Sequence, residues 1–218
     1  MKWFAVASML TCGLSAARDK NTPDGRRAPS GPTRMDVVAP LDIVVEAIPE
    51  IPHAIVKGTL EEASAIWDPA SLAFRWHVVD PLREPADPGS VRVILNDDVG
   101  AAYYTQRALG WITFGASGAP QPVIHLSHRN AVWLLDAPGT CRSRPTRERE
   151  MLLGRALGRA LAHELGHYLL PLKNHTPAGL MRGRRSRDEF FAPSRTSFEP
   201  NPQQRAILAE RVGLRAAE

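Results

Sequence analysis

The stretch AHELGHYLLPLKNHTPAGLMR, residues 162–182, gathers three histidines, a carboxylate and a methionine within one short run of chain. His163 and His167 are four residues apart. On a helix of 3.6 residues per turn both rings leave the same face, so each can aim a nitrogen at one ion. Glu164 is offset by one residue and stands beside such an ion rather than on it. That is the place for a general base acting on a water whose pKa zinc has lowered. Two side chains do not hold a catalytic zinc, which takes three protein ligands and keeps one position open. His175 is the best third ligand. It lies eight residues past His167, beyond Pro171, and the chain can turn through 171–174 to bring it back. Asn174 is a residue able to adopt the unusual backbone angles of such a return.

Taken in order, His163, Glu164, His167, His175 and Met181 resemble the metzincin group of zinc endopeptidases. That group has two histidines and a glutamate on a helix, a turn, a third histidine, and a methionine in a tight turn beneath the metal. HTPAGLM supplies that turn, with Gly179 before Leu180 and Met181. The usual pattern has glycine three residues after the second histidine and the third ligand six after it; here those places hold Leu170 and Lys173. The likeness is to a divergent branch with a longer turn.

The resemblance implies a single zincin-like α+β domain with a twisted mixed sheet, an early helix, a long active-site helix and a C-terminal helix. It further implies one catalytic Zn2+ held by His163, His167 and His175, with Glu164 as base and a peptide or protein as substrate. Met181 would form the turn without binding metal. An edge strand of such domains pairs with extended substrate, which makes Gly115–Ala119 a candidate backbone contact. Glu189, in RSRDEFF, is the rival third ligand, because other H-E-x-x-H enzymes take a glutamate from a later helix. His175 is preferred, since imidazole suits zinc and the methionine turn comes with it. Two other readings stay open: a non-catalytic binding protein that keeps the zincin shell, and a zinc hydrolase of a non-peptide bond.

The elements that must position these residues follow from periodicity. LDIVVEAI reads as a strand. HAIVKGTLEEASAIW reads as an amphipathic helix, with Ile55, Leu60, Ala63 and Ile66 at helical spacing, stopped by Asp68-Pro69. LAFRWHVV and SVRVILND read as strands, the second with Val91, Val93 and Leu95 on one face. LGWITFG and PVIHLSH form a strand pair joined by a Gly- and Pro-rich turn, and RNAVWLLD a short helix. A long helix runs from Thr146, as N-cap, to Leu170, with a buried stripe at Leu152, Leu157, Leu161 and Leu165. Gly154 and Gly158 weaken its propensity but permit close packing. Pro171 stops it. NPQQRAILAERVGL forms the last helix.

The chain has 218 residues, enough for one domain with a sizeable core, and a net charge of +4. Eight of its 27 basic residues crowd into 142–149 and 182–187, without the interleaved aromatics of a nucleic-acid face, so no nucleic-acid partner is expected. Met1-Lys2, an uncharged run from Trp3 and Ser15-Ala16-Ala17 read as an export signal over 1–17, placing the chain in the periplasm or outside the cell. Polar residues 18–34 read as a linker or short pro-segment, and 35–218 as the catalytic domain. No stable membrane span is expected, and the protein is read as a monomer; a lipid anchor on Cys12 is the lesser alternative. Removal of the signal leaves Cys141 alone among the two cysteines, so ligands must come from histidine or carboxylate. His125 and His128 could hold a second ion but lack a carboxylate cluster, and Asp97-Asp98 reads as a turn.

Overall fold

A computed structural model describes residues 40–80, 90–100, 108–137, 144–170 and 172–215. The export signal with Cys12, the linker at 18–34, Cys141 and Pro171 lie outside the described residues.

The order of elements is β1 (Leu41–Ala47), α1 (His53–Trp67), β2 (Phe74–Val79), β3 (Val91–Asn96), β4 (Gly110–Phe114), β5 (Pro120–Ser127), α2 (His128–Leu135), α3 (Thr146–Leu169), α4 (Arg187–Phe191) and α5 (Pro202–Arg215). The five strands make one mixed sheet in the order β2-β1-β3-β5-β4. Strands β2, β1, β3 and β5 run parallel, and β4 returns antiparallel beside β5. This is the mixed α+β sheet expected above, in one compact unit.

Alternation decides which face of the sheet is covered. Ile43 pairs with Val91, Val45 with Val93, Val93 with Ile124 and Leu95 with Leu126, so these side chains lie on one face, and all are buried. The half-buried alternation of β2 follows from its place at the sheet edge. The apolar stripe of α1, with Ile55, Leu60, Ala63 and Ile66, is buried too.

α1 and α3 pack against each other at glycines. A Cβ on Gly154 would come within 3.1 Å of the Gly58 Cα, and one on Gly158 within 2.6 Å of the Thr59 carbonyl oxygen. These two α3 glycines trade helix propensity for backbone contact, as anticipated. Close by, Arg159 is fully buried. Its Nε donates to Glu62 at 3.0 Å, and its terminal nitrogens donate to the carbonyls of Glu189, Ala192 and Ser194. The Phe198 ring lies 4.8 Å from the guanidinium. A buried arginine is tolerated only when its donors are met in this way.

Two local expectations are corrected, and one short helix is added. Thr146 is not the N-cap of α3: Pro145 occupies that place with φ −56°, no side-chain cap is made, and Thr146 is the first helical residue. Proline's fixed φ lets the chain enter the helix directly after it. RSRDEFF forms a short helix, α4, that periodicity did not reveal; it begins at a capping box between Ser186 and Glu189. Asn174 adopts no left-handed conformation, since Ser71 is the one non-glycine residue with positive φ among the described residues. No helix among the described residues is long and apolar enough to cross a membrane.

Candidate metal centre

α3 supplies the first two imidazoles. His163 Nδ1 donates to the Leu180 carbonyl at 2.9 Å, and His167 Nδ1 donates to the Leu172 carbonyl. A carbonyl can only accept, so each ring carries its proton on Nδ1 and leaves Nε2 as a lone pair. Burial keeps both rings neutral: it pushes His163 down to about 3 and lowers His167, and the Leu180 and Leu172 carbonyls oppose it only in part. A neutral imidazole tied through its other nitrogen is the form that binds metal.

His175 arrives from the loop after α3. Its Nε2 faces the Nε2 of His163 at 3.2 Å, and the donor atoms of His163, His167 and His175 all lie within 4.8 Å of one another. Two nitrogens at zinc-bond length from a tetrahedral ion stand about 3.3 Å apart. Three imidazoles suit zinc in type, and the His163–His175 spacing fits such an ion. Among the described residues no other group of histidines, cysteines or carboxylates does so.

Glu164 is buried beside this cluster and does not join it. Burial pushes its carboxyl up to about 8, against a hydrogen bond from the Ile112 N–H on β4. A dication nearby would work the other way and favour the carboxylate. Gly110 makes room for it, because a Cβ there would come within 3.2 Å of Glu164 Cγ. Glu164 thus lies between α3 and the edge strand β4.

The segment 176–182 closes under the helix. Thr176 N–H donates to the Met181 carbonyl at 2.8 Å, Arg182 N–H to the Gly179 carbonyl at 3.2 Å, and Gly179 takes φ +73°. Met181 is fully buried, and its sulfur lies where a Cβ on Gly166 would have to stand. The glycine inside HELGH is therefore a packing requirement. Gly166→Ala should overpack this contact and cost about 1–3 kcal/mol. Thermal unfolding checks it: the double variant Gly166→Ala, Met181→Ala should lose less than the sum of the two single losses, whereas strict additivity would contradict the contact.

Neither the Leu172 and Leu180 carbonyls nor Gly166 stood out in the sequence. Arg185 was missed as well. Its buried guanidinium donates to the carbonyls of Gly179 at 2.6 Å and Leu180 at 3.1 Å and stacks 3.8 Å from the centre of the Phe198 ring. Leu180 thus shares one oxygen between Arg185 and His163. Gly183 backs onto His175, as a Cβ there would come within 2.7 Å of the ring.

Glu189 is not brought to the cluster. Its carboxylate is held by Arg182 and by the Ser186 amide at 2.8 Å. His128 pairs with Asp97 at 3.0 Å, and His125 stacks on Trp111 with ring centres 5.2 Å apart. Asp98 caps the amide of Gly100 at 3.1 Å, in the turn expected of that pair. The backbone of Gly115 and Ala119 closes the β4–β5 hairpin on itself with a 2.9 Å bond. Among the described strands the sheet edge near the cluster is β4.

No protein-family model matches this chain, and no curated protein matches it. Six chains among solved structures do. One is the crystal structure of archaemetzincin from Methanopyrus kandleri, with a TM-score of 0.51 and 16% sequence identity, covering 80% of this chain and 96% of that one. At this identity the likeness is one of fold.

Proposed function

We propose that the chain is a zinc-dependent metalloendopeptidase. The observation that carries this reading is the convergence of three imidazoles whose donor atoms lie within 4.8 Å of one another, with a buried carboxylate beside them and outside the donor set. A structural metal site has no use for that carboxylate. The fold shared with archaemetzincin supports the same reading.

His163, His167 and His175 would hold the ion. Zinc bound there would supply a Lewis acid that polarises a carbonyl and acidifies a water. Glu164 would take the proton from the attacking water at its carboxylate and pass it to the leaving amine. The Leu172 and Leu180 carbonyls keep two of the rings in the tautomer that presents Nε2. Among the described strands β4 is an edge strand, and it passes beside Glu164, which favours an extended peptide over a compact non-peptide substrate.

Metal analysis of the purified protein tests this directly. One zinc per chain is expected, with peptide cleavage lost on chelation and restored by zinc. Stoichiometric zinc without cleavage of any peptide would leave a metal-binding protein and defeat the enzymatic part of the reading.

A further inference from the structure

Lys173 stands at the mouth of the metal cluster with no acidic partner. The residue before it, Leu172, has its carbonyl tied to His167, and the second residue after it is His175, which faces His163. Lys173 is thus held at the cluster from both sides, although its side chain is exposed. Its ammonium lies 5.9 Å from the centre of the Phe114 ring, and that ring meets His167 edge-on with centres 5.9 Å apart. Among the described residues no carboxylate forms an ion pair with Lys173. Resting on an aromatic face, its charge is weakly engaged and free to turn toward an anion.

Phe114 ends β4, which lies at the sheet edge among the described strands. Ile112 marks the level of Glu164 on that strand. Phe114 is two residues on, across a shift in the β4–β5 register, and so no more than about 7 Å along the strand. A peptide lying along β4 with its reacting carbonyl at the level of Glu164 would bring a side chain one or two residues away to the Lys173–Phe114 pair. Glu164 is itself buried there, whereas Lys173 is exposed.

Resting on the peptidase reading, we propose that the site selects substrates with a carboxylate one or two residues from the bond to be cleaved, and that Lys173 recognises it. The carboxylate is either an aspartate or glutamate side chain or the free C-terminus of a short peptide. Lys173 serves specificity and takes no part in bond cleavage.

The test uses the zinc-loaded full chain and matched peptides in three sets: acidic residues near the bond with amidated ends, neutral residues with free C-termini, and neutral residues with amidated ends. For wild type, kcat/KM should favour one of the first two sets over the third, and the preference should shrink as salt is raised. Lys173→Glu should cut that preference about tenfold or reverse it, measured within the variant as the ratio to the neutral amidated set. Loss confined to the first set identifies a side-chain carboxylate; loss confined to the second, a terminal one. Lys57→Glu, on α1 and exposed, makes the same charge change and should alter nothing. An unchanged preference in Lys173→Glu, or an equal change in Lys57→Glu, overturns the proposal. If wild type cleaves nothing, fluorescence anisotropy of the same peptides on the zinc-loaded protein decides it. Carboxylate-dependent binding lost in Lys173→Glu would then uphold recognition while the peptidase reading falls, and binding blind to carboxylate would end both.

Discussion

Purified His175→Ala protein is expected to carry little or no zinc under conditions that leave wild type fully loaded. His175 is the one ligand that reaches the cluster from outside α3, and its exposed ring contributes nothing to the core. The variant should therefore fold as wild type does. Removing one of three protein ligands leaves two imidazoles, too few for a catalytic zinc site. The alternative donor, Glu189, cannot replace it without giving up Arg182 and the capping box of α4. Competition with a chelator of known affinity measures the loss, expected to exceed a hundredfold, since disturbing even the partners behind such ligands costs about 10–100-fold. Full zinc retention in His175→Ala would sink the three-histidine centre. Loss of zinc in Glu189→Gln with retention in His175→Ala would move the third ligand to α4.

Glu164→Gln should do the opposite: keep zinc and lose cleavage. The carboxylate lies outside the donor set, so stoichiometry should not change. In the metal-free protein burial pushes this carboxyl up to about 8, so the pocket already accommodates a neutral group. Glutamine is its neutral counterpart in shape, and stability should hold. What glutamine cannot do is take a proton from water. General-base catalysis supplies about 10²–10⁴-fold, and kcat should fall by that order while KM moves little. Undiminished turnover in the zinc-loaded variant would remove Glu164 from the mechanism. Together the two variants separate holding the metal from using it.

Much of this arrangement was legible in the residues because side-chain periodicity carries it. Ile55, Leu60, Ala63 and Ile66 announced α1, and all are buried. Val91, Val93 and Leu95 announced the covered face of β3, and they too are buried. The four-residue spacing of His163 and His167 required a shared face, and α3 provides it. What stayed hidden acts through the backbone or through distant partners. The carbonyls of Leu172 and Leu180 orient two rings, and a carbonyl has no signature in the letter of its residue. Gly166 and Met181 explain each other only when the chain has folded back. Arg159 and Arg185 look like members of a basic surface, yet both are buried, because their partners are carbonyls and the Phe198 ring. The capping box at Ser186 spans too few residues to leave a periodic trace.

A chain cut after Met181 would retain every imidazole, Glu164 and the methionine. It would also strip Arg159 of the Glu189, Ala192 and Ser194 carbonyls and of the Phe198 ring, leaving Glu62 as its one remaining partner. That guanidinium sits one helical turn before His163, in the interior of the same helix. Buried donors left without acceptors in such a place cost about 1–3 kcal/mol each, together a large share of a domain's total. The C-terminal tail is thus an inner lining of α3. The shortest stable fragment of this molecule is set by the needs of a buried arginine, well beyond the last residue of the histidine cluster.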